Sequence, residues 1–199
     1  PKDWPGGIGR AYDKLYEKTI DDNAASECFF YDTQVRVPEP PGWNGPMYKN
    51  ISKIYRNDLV YCCAPDGSLQ IRRVVNAGKR KVFGAIDIYL TEYSNEFGII
   101  PANEPLATRK KIKLMAGSGK KFFSVNYGDW RPIERCMSEY AGQPSLIVAQ
   151  NGIYEITQIR KKPDLLLEGY FLEVEDYHNY FVSGGDILGH NSIDNSWLG

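Results

Sequence analysis

An all-β fold is what this sequence predicts, and three observations carry the prediction. Its 14 tyrosines, with many valines and isoleucines, are side chains that fit a pleated, half-buried surface. Apolar and polar residues alternate over short runs, as at Tyr154, Ile156 and Gln158 and again at Tyr170, Leu172 and Val174. Its 19 glycines and 12 prolines cut the chain into lengths that suit strands and turns better than long helices.

Composition narrows the class further. A chain of 199 residues suits one medium-sized domain, with or without extensions, and 42% hydrophobic residues are enough to fill a core. Lys plus Arg number 24 against 25 Asp plus Glu, and a net charge of −1 lacks the basic footprint of a nucleic-acid or anionic-membrane partner. No apolar run approaches the length that crosses a bilayer, and residues 1–23 lack the basic start and apolar stretch of a secretory signal. Cys28, Cys62, Cys63 and Cys136 follow no zinc-ligand spacing, and only two histidines exist to complete a site. The expectation is a cytoplasmic monomer with free thiols, no metal and no cofactor.

Taken in order, residues 8–20 place Ile8, Ala11, Tyr12, Leu15, Tyr16 and Ile20 at helical spacing, which predicts a short N-terminal helical flank ending at Asp21, Asp22 and Asn23. Strands are predicted at 33–37, 49–54, 58–63, 69–79 and 81–90, with a proline-rich turn at 38–46. Within residues 92–121, Arg109, Lys110, Lys111 and Lys113 read as a solvated basic face. Gly117, Ser118, Gly119 and Lys120 resemble half of a phosphate loop, but the first glycine of that motif has no counterpart, so nucleotide binding is not expected. Residues 122–130 predict strand and turn, 132–140 a short helix, and 145–149, 154–159 and 165–174 further strands. No internal repeat is present.

Both histidines, His178 and His190, lie in residues 170–192, and Asn191 and Ser192 follow the second. A turn at 183–186 predicts a hairpin that folds the two imidazoles towards one small site beside an amide and a hydroxyl. Such a group can break its own backbone. The Asn191 side-chain nitrogen attacks its own carbonyl, closing a succinimide and releasing Ser192. An adjacent imidazole would supply the proton this step needs. The alternative is a strand-end His and Asn that only bond to backbone.

The opposite end bears on that choice. Cys28 opens a run containing Asp32, Thr33 and Val35, followed by Ile51, Ile54, Asp58 and Val60 at fixed spacing. Together with His178, Asn179 and the closing His190, Asn191 and Ser192, these pieces resemble the Hint superfamily of inteins, bacterial intein-like domains and hedgehog-type autoprocessing domains. The resemblance brackets residues 28–191. It implies a compact, horseshoe-like all-β fold in which Cys28 and Asn191 meet, with residues 1–27 as the upstream flank (N-extein) and 192–199 as the downstream one (C-extein). The implied partners are these flanks alone.

The implied activity is self-catalysed, single-turnover protein splicing. Cys28 attacks the carbonyl of Glu27 to form a thioester, Ser192 takes over the acyl group, Asn191 cyclises, and Glu27 becomes joined to Ser192. His190 would polarise the Asn191 carbonyl, and His178 would act as general base or acid. Two departures stand out. The region corresponding to the family's mid-chain Thr-x-x-His motif is residues 117–121, which hold no histidine; Lys120 or Lys121 would substitute as cation or proton donor, and Ser118 would donate a hydrogen bond. Phe171 occupies a position where many inteins carry an aspartate. These departures keep autocleavage at one or both ends without ligation as an alternative. From another class, a non-catalytic β-rich binding domain would use its tyrosines and basic run as an interaction surface.

Overall fold

In the computed structural model, the described residues are 27–95, 98–99, 109–182 and 184–190. The expected N-terminal helix, Asn191 and Ser192 lie outside them. The described residues form antiparallel β-structure with two short 3-10 turns and no α-helix, as the composition predicted. In chain order the strands are β1 (Phe29–Phe30), β2 (Gln34–Val37), β3 (Met47–Asn50), β4 (Leu59–Cys63), β5 (Leu69–Val82), β6 (Ala85–Asn95), β7 (Gly98–Ile99) and β8 (Lys111–Gly117). They continue as β9 (Lys121–Ser124), β10 (Asp129–Pro132), β11 (Leu146–Ala149), β12 (Gly152–Lys162), β13 (Leu167–Val174), β14 (Asn179–Val182) and β15 (Ile187–His190). One hydrogen-bonded path runs β3-β2-β14-β15-β9-β11-β12-β6-β8-β1-β13-β5-β4.

Several boundaries differ from the expectation, each for a local reason. The strand expected at 49–54 ends at Asn50, whose side chain accepts from the Ser52 amide at 2.9 Å and caps the 3-10 turn Ile51–Lys53. β5 continues through Arg80 to Val82, past the break expected between 79 and 81, because β13 stays paired with it throughout, with Phe171 over Gly78. A Cβ at 78 would lie 2.6 Å from Phe171 Cζ. The break falls at Gly84, in the left-handed region with φ +85°. The helix expected at 132–140 is only the 3-10 turn Ile133–Cys136, which buries Ile133 and Cys136. The basic run belongs to a strand: in β8, Lys111 and Lys113 point to solvent while Ile112 and Leu114 enter the core. Its lysines are solvated as expected. The alternation between them was the signal for β8.

The main core gathers Phe29, Val60, Ile88, Leu90, Phe122, Ile147, Leu172 and Tyr180 among others, from strands along the whole path. A second, smaller cluster holds Cys28, Phe30, Val82 and Ala85. Cys28 is therefore packed inside the fold at the beginning of the described chain.

Candidate functional site

Short strands bring Cys28 and His190, near the two ends of the described chain, to the start of β9. β1 pairs with β8 and β13, which fixes Cys28 beside Gly117 and Gly169. The Gly117 amide donates to the Cys28 carbonyl at 2.9 Å. The sulfur lies against Gly169 so closely that a Cβ there would sit 2.5 Å from Cys28 Sγ. Only glycine at 169 leaves room for that thiol. β15 pairs with both β9 and β14, setting His190 opposite Lys121 on one side and Asn179 on the other. Residues 120 and 121 thus link the two ends: one reaches the Cys28 junction and the other lies opposite His190.

Lys120 is fully buried. Its Nζ donates to the Tyr180 hydroxyl oxygen at 2.9 Å and lies 4.7 Å from the Phe29 ring centroid and 4.6 Å from that of Tyr180. An ammonium over aromatic faces gains from their quadrupoles, which offsets part of its lost hydration. Burial still dominates. It lowers the Lys120 pKa to about 8, while the charges of Glu27 and Cys28 act to raise it. The same burial pushes the Cys28 thiol up to about 12, opposed by the Lys120 charge and a backbone hydrogen bond from Gly117. Lys121 reaches out of the core towards Glu27, with Nζ 3.9 Å from Oε1.

At the other end, His190 is 5% exposed, and its ring lies 4.7 Å from that of Trp130, tilted by 48°. His178 immediately precedes Asn179, the cross-strand partner of His190. His178 takes φ 54°, and its buried Nδ1 has no hydrogen-bond partner among the described residues. Asn179 fixes this corner. Its side chain accepts from the Cys63 amide at 2.7 Å and donates to the carbonyls of Cys63 at 2.9 Å and Tyr177 at 3.1 Å. The hairpin turn is held from outside the site: Asp186 accepts from Arg36 at 3.0 Å and from the Tyr48 hydroxyl at 2.6 Å.

The arrangement therefore sets a buried ammonium beside a buried thiol, with His190 opposite Lys121 on the neighbouring strand. Ser118 stands apart from them, exposed beside Gly84. Phe171 packs over Gly78 with the Arg80 guanidinium 5.6 Å from its ring, so no carboxylate occupies that position. Among the described residues no group of three or more His, Cys, Asp or Glu could hold a metal ion. Nor is any helix there long and apolar enough to cross a membrane. Sequence reasoning missed Tyr180, Trp130 and Gly169. Tyr180 directly follows His178 and Asn179 in the sequence, whereas the other two act only through contacts across the sheet.

Neither protein-family models nor curated proteins match the chain. Solved structures do. The bacterial intein-like domain from Clostridium thermocellum superposes with TM-score 0.56 at 15% identity, over 83% of this chain and 99% of that one. A DnaB intein from Synechocystis sp. PCC 6803 gives 0.53 at 14% identity, over 83% and 99%. The TvoVMA intein gives 0.57 at 13% identity, over 84% and 99%. A fold path that brings the two ends of the described chain to β9, matched over nearly the full length of these structures, identifies the architecture of this chain as the Hint-type, intein-like fold.

Proposed function

We propose that this chain is a self-splicing mini-intein: residues 28–191 excise themselves and join Glu27 to Ser192. The observation that supports it most directly is the buried Lys120 ammonium acting on Cys28 and Glu27 in the region that corresponds to the family's histidine motif. In the first step the Cys28 sulfur bonds to the Glu27 carbonyl carbon, the Glu27–Cys28 amide bond breaks, and the thiol proton ends on the freed amine. Lys120 can carry that proton, because a pKa near 8 lets it accept and donate at working pH. Next, the Ser192 hydroxyl displaces the thiol. The Asn191 side-chain nitrogen then attacks its own carbonyl, and the Ser192 amine leaves with a proton from a nearby imidazole. An O-to-N acyl shift completes the new peptide bond.

A thiol pushed up to about 12 is almost wholly protonated at neutral pH. This favours a slow first step and, as a side reaction, release at Asn191 before ligation. Intact mass of the 199-residue precursor over time, with and without dithiothreitol, tests the proposal. The excised domain plus a joined 35-residue flank peptide is the expected result; the flanks are residues 1–27 and 192–199. Separate flanks would establish cleavage alone, and an unchanging mass would overturn self-processing. Single Lys120→Ala and Lys121→Ala variants identify the proton carrier, with loss of thioester formation expected only in the first.

A further inference from the structure

The first acyl shift needs Lys120 to be charged for part of its cycle, yet the fold gives that ammonium almost no water. Its hydrogen-bond acceptor in the core is the Tyr180 hydroxyl oxygen, 2.9 Å away. Tyr180 is itself fully buried and locked by an edge-to-face contact with Phe29, ring centroids 6.0 Å apart at 76°, while Phe29 makes a second such contact with Phe122. Tyr180 pairs with Gly189 across β14 and β15, and Gly189 pairs in turn with Phe122 on β9. A side chain at 189 would close this space, since a Cβ there would lie 3.1 Å from the Phe29 ring and 3.4 Å from Lys120 Cε.

We propose that Tyr180 is a positioning residue for the first acyl shift: its hydroxyl oxygen holds the Lys120 ammonium at the Glu27–Cys28 junction and keeps it charged there. The inference rests on the reading of Lys120 as proton carrier. The groups facing that ammonium are few. Cys28 and Glu27 lie on the junction side, Tyr180 on β14, and the Phe29 ring from β1. Of these, Tyr180 supplies a neutral oxygen that accepts a hydrogen bond from it at 2.9 Å. A hydrogen bond accepted from a buried cation stabilises the charged form, so losing it makes the ammonium a stronger acid and frees the side chain to turn.

The test uses Tyr180→Phe, which keeps the ring and its stacking and removes one oxygen. Precursors carrying Asn191→Ala are incubated with thiol from pH 6 to pH 10, and N-terminal cleavage is followed by mass. With a thiol pKa of about 12 and Lys120 at about 8, the rate rises with pH and levels off near pH 8. In Tyr180→Phe the plateau is expected to be about tenfold lower, and its onset about one pH unit lower. A purely structural role would lower the rate at every pH without moving the onset. Nitrogen-15 NMR titration of Lys120 in a non-reacting Cys28→Ala precursor reads the same shift directly, even where Tyr180→Phe processes poorly. If Lys120→Ala leaves the rate unchanged, the proton-carrier reading falls and this inference with it. If Lys120→Ala is impaired while Tyr180→Phe keeps the wild-type profile, only the role of Tyr180 is overturned.

Discussion

Replacing Lys120 with methionine should stabilise the domain while disabling its first step. Below pH 8 the fold holds an ammonium whose pKa has fallen from 10.5 to about 8. At 1.36 kcal/mol per pH unit, keeping it charged costs about 3 kcal/mol. Methionine fills similar volume with no charge to desolvate, but it leaves the Tyr180 hydroxyl without its donor, at a cost of about 1 kcal/mol. The net gain at pH 7 is about 2 kcal/mol, or roughly 4–8 °C in melting temperature for a domain of this size. The pH dependence has a definite sign. Between about 8 and 10.5 the unfolded chain keeps a proton on Lys120 that the folded one has lost, so this residue's contribution to stability rises with pH through that window. Cys28, Cys136 and Tyr154 are raised by burial to about 12 and act in the opposite direction at alkaline pH. The quantity to measure is therefore the difference between parent and Lys120→Met by urea denaturation, both in a non-reacting Cys28→Ala, Asn191→Ala background. That difference should shrink to about zero by pH 10. A loss of stability at pH 7, or an equal difference at both pH values, would refute the account of Lys120 as a strained buried cation.

Three further outcomes follow from the same geometry. Gly169→Ala puts a methyl 2.5 Å from Cys28 Sγ. It should cost about 1–3 kcal/mol and slow thiol-induced N-terminal cleavage at least tenfold, with C-terminal release in a Cys28→Ala background unaffected. Asn179→Ala removes three hydrogen bonds around Cys63 and Tyr177, so denaturant unfolding should show a loss of about 2–3 kcal/mol and C-terminal release should slow. Trp130→Ala takes away the ring beside His190, and in the same Cys28→Ala background it should slow succinimide formation by mass spectrometry. Trp130→Phe should recover part of that rate, because a ring restores the contact.

How much of this was legible in the sequence depends on how local the signal is. Alternation at Tyr154 and Ile156 gave β12, and Tyr170, Leu172 and Val174 gave β13, because period-two burial is written directly into residue order. Lys111 to Leu114 carried the same signature, but the charge of the run masked it. Gly78 illustrates the opposite limit. The expected boundary lay two residues after it, yet β5 runs on to Val82 with Phe171 of the paired strand over Gly78, and no window along the chain contains that information. The site divides in the same way. His178 and His190 stand out by type, and Cys28 and Lys120 through the family resemblance, whereas Gly169 matters only because another strand's sulfur rests on it. Tyr180 is a core residue. Its hydroxyl acquires meaning only once a lysine is found buried against it.

The last described strand has a mechanical consequence. β15 has only four residues, yet it is hydrogen-bonded to β14, β9 and β11, and the turn at its base is clamped through Asp186 by Arg36 and Tyr48. It sits as a tongue in a slot whose walls come from elsewhere in the chain. Covalent continuity through the β14–β15 turn then adds mainly the entropy of closing one short loop. A chain severed at that turn would keep the groups that recognise the missing piece, so the tongue could be supplied in trans as a short peptide and still find its register.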